Sequence, residues 1–219
     1  TLITSAMLER LKTVNWDSLR RTLTEKRRIV AIDPAFGGDQ CVIKGIENTR
    51  VIETKVVHFT LTSEVVFEAK LVAQEIGTKN FIVDCIGNGK GVADGLAVDA
   101  MNYNVQYFNS AGKVDDSDMF ENKKAEAVYY VSAQIARCKV EPIEDFETKR
   151  QLTFLSKYRT THRGLMIMMH NDDVKKNLGC SPDKGLCYVY GIYGLQYVPV
   201  EVVSDWEKRH HRVKSPMLM

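Results

Sequence analysis

Three aspartates stand in settings where a carboxylate can do chemistry. Asp33 ends the run Arg28-Ile-Val-Ala-Ile-Asp33 and is followed by Pro-Ala-Phe-Gly-Gly-Asp39. Asp84 ends Asn80-Phe-Ile-Val-Asp84, ahead of Cys-Ile-Gly-Asn-Gly-Lys-Gly. Asp183 sits in Ser181-Pro-Asp183, directly before a long apolar stretch. Two carboxylates therefore close short β-rich runs and the third opens a helix. Hard divalent cations such as Mg²⁺ and Mn²⁺ take oxygen ligands and keep several waters, so carboxylates gathered from strand ends and a helix start suit them. A pair of such ions can clamp the attacking and leaving oxygens of an in-line phosphoryl displacement. Each aspartate also has a plainer reading. Asp33-Pro34 is a good turn, and Asp183 behind Pro182 is a good helix start whose charge the helix dipole favours. The recurrence of the same residue type in three such places favours the chemical reading.

The elements that must position these residues follow from periodicity. Ile29 to Ile32, Gln40 to Ile46 and Val51 to Phe59 read as three strands joined by two hairpins, with turns at Gly37-Gly38 and Glu47-Asn48-Thr49. Thr62-Ser63-Glu64 opens a helix that Gly77 stops. Phe81 to Asp84 is a buried strand, Val92 to Met101 a helix, and Val105 to Phe108 a further strand. Phe120 to Val140 reads as a long helix, and residues 144 to 152 continue helical. Phe154 to Tyr158 and Leu165 to Met169 suggest a hairpin. Asn171-Asp172-Asp173 caps a short helix ending at Gly179, and the last helix runs from Asp183 to about Gln196. An antiparallel three-strand meander followed by alternating helices and strands is the order of a ribonuclease H-like α/β fold, with a central mixed sheet flanked by helices. Three segments result: a helical lead-in or linker over 1–28, the ribonuclease H-like domain over 29–198, and a basic tail over 199–219.

Composition narrows the classes. At 219 residues, with 44% apolar and 26% charged residues, the chain can bury one sizeable α/β core. No apolar run reaches the length of a membrane span, so no membrane partner is expected. The net charge of +2 does not by itself announce a nucleic-acid binder. Local clusters such as Lys26-Arg27-Arg28, Lys123-Lys124 and Lys149-Arg150 matter more, as does Lys208-Arg209-His210-His211-Arg212. Five scattered cysteines with no CxxC pair support neither a zinc site nor a disulfide framework, and point to a reducing compartment. There is no phosphate-binding G-x-x-x-x-G-K-[ST] loop and no Ser-His-Asp or Cys-His setting, which disfavours an ATPase engine and covalent hydrolysis. The Gly87, Gly89, Gly91 stretch is not a dinucleotide fingerprint, and tight strand-to-helix packing accounts for it. His170, Asp172 and Asp173 form a second cluster, but Asn171-Asp172-Asp173 is a good helix-start signal and that reading is favoured over metal binding.

The chain resembles the C-terminal nuclease domain of the large subunit of tailed-phage DNA-packaging terminases, from about Arg28 to Tyr197. Ile29 to Asp39 is similar to that family's first acidic motif and Phe81 to Leu96 to its second. Asn122-Lys-Lys-Ala-Glu126 resembles its Asn-x-Arg-Ala-Glu element, and Leu178 to Gly185 its closing motif. The resemblance implies a metal-dependent endonuclease that cuts concatemeric double-stranded viral DNA during packaging, in the host cytoplasm. Asp33, Asp84 and Asp183 would hold two Mg²⁺ or Mn²⁺ ions, and Lys123 and Lys124 would contact the DNA backbone. Its implied partners are a terminase ATPase domain, a portal and a small terminase subunit, and it suggests an excised domain of a longer parent. Two departures stand out. The family's Ser-Pro-Asp-x-Ala-Asp-Ala-Leu ending becomes Ser181-Pro-Asp183-Lys-Gly-Leu186-Cys-Tyr, losing its second aspartate. Lys124 stands where Arg is common, keeping the charge without bidentate geometry. Assistance from Asp39, Asp172 or Asp173 stays open. So do a Holliday-junction resolvase or ribonuclease of the same fold, and a non-catalytic docking module for portal or capsid.

Overall fold

The central strand, Arg28–Asp33, is apolar on both sides: Ile29 and Ala31 enter one core, Val30 and Ile32 the other. A strand without polar alternation must lie inside a sheet covered on both faces, and that is where it lies. In the computed structural model, which describes residues 1–35, 40–58, 61–99 and 101–203, this strand is β2. It follows a two-residue strand β1, Glu25–Lys26. With β3 (Cys41–Glu47), β4 (Arg50–Val57), β5 (Asn80–Asp84) and β6 (Asn104–Phe108) it forms a five-stranded sheet in the order β4-β3-β2-β5-β6. β2, β3 and β4 are an antiparallel meander, while β5 and β6 run parallel to β2. Asn48 turns the β3–β4 hairpin with φ +53°, a conformation that asparagine tolerates. The meander, the mixed sheet and the flanking helices agree with the sequence reading.

One face is covered by α3 (Thr62–Ile76) and α4 (Gly89–Ala97). Glu64 accepts the Leu61 N–H at 3.1 Å at the start of α3, and Gly77 ends it with φ +66°. The other face is covered by α5 (Lys123–Ala136), α6 (Phe146–Leu155) and α8 (Asp183–Gly194). Asn122 caps α5 through the Ala125 N–H at 3.0 Å, and Asp145 caps α6 through Thr148 N–H at 2.9 Å. α8 lies directly on β2 and β3. A Cβ at Gly191 would stand 3.0 Å from Ala31 Cβ and 2.3 Å from Ile46 Cδ1, so only glycine allows this approach.

Several boundaries differ from the sequence reading. The helix expected over 92–101 is α4, which starts at Gly89 and ends at Ala97. The helix expected over 120–140 is the shorter α5. The hairpin strand expected from Phe154 is a helix end: Phe154 and Leu155 finish α6, and the strands are β7 (Tyr158–Thr160) and β8 (Met166–Met168). Leu152 and Leu155 are buried at helical spacing behind the Asp145 cap, which outweighs the short apolar run. Before β1 the lead-in contains α1 (Ser5–Arg10), a 3₁₀ turn (Leu11–Thr13) and α2 (Trp16–Thr22). Its Ile3, Leu8 and Leu11 are buried in the α5–α6–α8 core, and β1 pairs antiparallel with β9 (Glu201–Val202). The expected turn at Gly37-Gly38, Asp39, the Phe59 end of the third strand, and residues 204–219 with His210 and His211 lie outside the described residues. No helix among the described residues is long and apolar enough to cross a membrane.

Candidate active site

Strand register places the first two aspartates together. β2 and β5 are parallel neighbours with Ile32 opposite Val83, so Asp33 and Asp84 occupy the next rung at the strands' C-terminal ends. Adjacent strands lie about 4.8 Å apart. Side chains alternate along a strand, and Ile29, Ala31 and Ile82 belong to the α8-side core; Asp33 and Asp84 therefore project toward that same face. The chain leaves β2 for β3 and β4 and returns to β5, so the aspartates flank the point where strand order reverses, a crevice that α/β sheets use for ligands.

Asp84 is fixed from several sides. Burial raises its carboxyl above the usual range, opposed by hydrogen bonds from the Ile86 N–H at 3.3 Å, the Tyr190 hydroxyl, and the Ser110 hydroxyl and N–H. Behind it, α4 begins against the strand end: a Cβ at Gly89 would fall 1.8 Å from the Asp84 carbonyl oxygen and 3.1 Å from Pro34. The glycine-rich stretch thus serves strand-to-helix packing, as the sequence suggested.

Asp183 is the first residue of α8 and is 7% exposed. Its Oδ2 accepts the Gln40 N–H at 3.3 Å and its Oδ1 accepts the Ser181 hydroxyl. Gln40 precedes β3, in which Val42 lies opposite Asp33. Two shared neighbours connect the carboxylates. The Cys41 thiol, pushed up to about 12 chiefly by burial, is raised further by both Asp33 and Asp183. The Lys124 ammonium, pulled down to about 8 by burial, is supported by Asp33 and Asp84. Asp33 acts on both groups, sharing Cys41 with Asp183 and Lys124 with Asp84.

The two lysines part company. Lys124 donates to Asn171 Oδ1 and lies in the fields of Asp33 and Asp84. Lys123 pairs with Asp115 at 2.8 Å and Glu126 at 3.1 Å, over the Tyr193 ring. The acidic cluster at 170–173 opens α7 (Asn171–Leu178). His170 Nδ1 accepts the Asp172 N–H at 3.3 Å, and Asp173 faces Lys176 at 3.8 Å. That is a helix start, and its Asn171 reaches the aspartate region through Lys124. The sequence reading missed Ser110, Tyr190 and Gln151. Tyr190 looks like one more apolar helix residue, and nothing in the pattern marks it as a partner of Asp84.

The donors suit a hard cation: carboxylate oxygens from two adjacent strand ends and a helix start, with the Lys124 ammonium in the field of two of them. Among the described residues no three carboxylate, imidazole or thiol groups converge tightly enough to enclose an ion. Ions that retain several waters do not need such enclosure.

No family model and no curated protein matches the chain. Among solved structures it is similar to the nuclease domain of the large terminase subunit of bacterial virus Sf6. The TM-score is 0.73 at 15% identity, covering 91% of this chain and 99% of that one. It is also similar to the large terminase nuclease of thermophilic phage G20c, with TM-score 0.54, 14% identity, and 77% and 87% of the two chains covered. The Thermus phage P74-26 domain gives 0.51 at 16%, covering 80% and 88%. Mutant Sf6 domains have been solved with manganese and with calcium, and the G20c nuclease with magnesium. The chain thus has the ribonuclease H-like fold of phage large-terminase nuclease domains.

Proposed function

We propose that this chain is a metal-dependent endonuclease that hydrolyses phosphodiester bonds of double-stranded DNA during viral genome packaging. The observation that carries the reading is the placement of Asp33 and Asp84 on one rung and one face of the sheet, with Asp183 brought to Asp33's other side by α8. Asp33, Asp84 and Asp183 would hold two Mg²⁺ or Mn²⁺ ions, which would activate the attacking water and stabilise the leaving oxygen. The manganese, calcium and magnesium forms of the structural neighbours support divalent metal use.

The protein's own groups have separable tasks. The hydrogen bonds of Tyr190 and Ser110 hold the Asp84 carboxylate in place and support its ionised form against burial. Gln40 and Ser181 hold the Asp183 carboxylate in place by hydrogen bonds. Lys124, next to the carboxylates, would meet the phosphate being cut, whereas Lys123 lies further out with its charge shared between Asp115 and Glu126. Lysine contacts to phosphate position the backbone without reading bases, so cutting would show little sequence preference. A terminase ATPase domain, portal and small subunit are the partners this reading carries.

The test is to titrate Mn²⁺ into the protein with supercoiled plasmid, then compare linear duplex, a four-way junction and an RNA–DNA hybrid. Metal-dependent cutting of duplex supports the reading. Preference for the junction or the hybrid would move the chain to a resolvase or ribonuclease. No cutting at any metal concentration would leave a docking module.

A further inference from the structure

α8 begins at a residue that cannot cap it. The N-cap position is Pro182, which has no side-chain acceptor, and no side-chain hydrogen bond comes from it. The first amides of a helix need outside acceptors, and here a buried one comes from another helix. Gln151, on α6 and 4% exposed, accepts the Gly185 N–H on its Oε1 at 2.7 Å. The same side chain donates from Nε2 to the Ser181 carbonyl at 3.3 Å. One amide therefore grips the backbone two residues before and two residues after Asp183.

The grip is close and reinforced. A Cβ at Gly185 would stand 2.9 Å from Gln151 Cβ and 2.7 Å from Leu155 Cδ1, so α6 and α8 touch there backbone to side chain. The adjacent Arg150 donates to the Leu178 carbonyl at 3.0 Å and so ties down the end of α7, just ahead of Ser181. Ser181, whose carbonyl Gln151 holds, itself donates its hydroxyl to Asp183. The bonds from α6 thus converge on the one carboxylate that does not come from the sheet.

We propose that Gln151 is a positioning residue for Asp183: its amide replaces the missing helix cap and fixes the Asp183 backbone so that the carboxylate meets Asp33 across the cleft. The backbones of the two sheet aspartates are set by strand register. Asp183 arrives on a separate helix, and its distance from them depends on where that helix begins. The inference rests on the nuclease reading above and adds to it a residue that acts through Asp183 rather than on substrate.

The test uses the 219-residue chain and Mn²⁺ as probe. Mn²⁺ affinity is measured by calorimetry without DNA, and plasmid cleavage is followed as a function of Mn²⁺. Gln151→Met keeps the volume and removes both hydrogen bonds. It should weaken Mn²⁺ binding about tenfold or more, as loss of groups that orient metal ligands commonly does. Cleavage should fall at low Mn²⁺ and recover at high Mn²⁺, while DNA affinity in EDTA stays at the wild-type value. Val72→Ala, a packing loss in α3 on the opposite face, is the control for lowered stability and should keep wild-type Mn²⁺ affinity. If Gln151→Met does not fold, Gln151→Asn decides, because its shorter stem spans at most one of the two backbone groups. It should weaken Mn²⁺ binding at least about threefold, below the range of complete loss. Wild-type Mn²⁺ affinity in a folded Gln151 variant, with Asp183→Asn abolishing binding, overturns the positioning role and leaves the nuclease reading intact. Failure of the wild-type chain to bind Mn²⁺ or cut overturns both.

Discussion

The two faces of the sheet are built on different terms. The buried residues of α3 and α4 are all apolar, and they meet Val30, Ile32, Cys41, Ile43, Phe81 and Val83. The other face buries more apolar groups, and also Lys44, Ser132, Thr148, Gln151, Ser156 and Asp183, together with Tyr188 and Tyr190. Buried polar groups are costly unless hydrogen-bonded. Most of these are bonded, and the bonds of Gln151, Asp183 and Tyr190 lead to the start of α8 or to Asp84. The α3–α4 face is held by apolar packing; the α8 face adds buried polar groups, and some of their hydrogen bonds fix Asp84 and Asp183.

Variants that strike one face at a time should separate these roles. The largest effect is expected from Asp33→Asn or Asp84→Asn, which should lower metal-dependent plasmid cleavage by orders of magnitude. Their far-UV spectrum and cooperative melting should be retained, because a carboxylate at the cleft contributes little to the core. A stabilised metal-free form would agree with the relief of crowded, desolvated charge. Near wild-type cutting by either would end the site assignment.

Gly191→Ala comes next. The added methyl meets Ala31 Cβ at 3.0 Å, which cannot move without the strand, so a loss of about 1–3 kcal/mol is expected in chemical denaturation. Because α8 carries Asp183, cleavage per folded molecule should fall too. Gly45→Ala is the mirror case on the other face, meeting Val72 Cγ1 and Ile76 Cγ2 at 3.0 Å. It should cost stability while leaving cleavage per folded molecule unchanged. Equal activity losses in the two would erase the distinction between the faces.

The lysine pair gives a smaller contrast. Lys124→Met removes the cation beside the carboxylates. It should weaken DNA binding about tenfold at roughly 0.1 M salt and lower the salt slope by about one, the signature of one phosphate contact. Lys123→Met should do less, since its charge is already engaged by Asp115 and Glu126. Reversed effects would place the phosphate path over Lys123.

The smallest effect concerns Lys44, which is 1% exposed and donates to Thr54 and Thr148 hydroxyls at 3.3 Å each. Burial holds its ammonium below the usual 10.5, against the weaker pull of Cys187 and Asp145. A lysine depressed in the folded state contributes stability above pH 10.5 and loses it as pH falls through the depressed value. At pH 7 the buried charge therefore lowers stability. Lys44→Met should raise it by about 1 kcal/mol, with the advantage shrinking toward pH 10.5. A destabilised variant would mean that the two hydroxyl bonds outweigh the desolvation.

The same contrast explains what the sequence could disclose. Val30 and Ile32, Val65 and Val72, Gly77 and Gly179 carry local signals of strand, helix and stop, so the order of elements along the chain and most helices were legible. Asp33 and Asp84 were legible as strand ends because their register follows from the strands themselves. The identity of Asp183's holder was not: Gln151 lies far earlier in the chain on another helix, and its two bonds depend on how α6 packs against α8. Lys123 and Lys124 read alike as a basic pair, yet neighbouring helix positions point in different directions and reach different partners. The β1–β9 pairing joins Glu25 to Val202, a contact that no local pattern announces.

The decisive measurement is to locate bound Mn²⁺ by anomalous scattering from a crystal of the wild-type chain grown with the metal. Manganese is expected on Asp33 and Asp84, with Asp183 completing the site from the start of α8. Manganese seated instead at His170, Asp172 and Asp173, with none at the strand ends, would contradict the assignment.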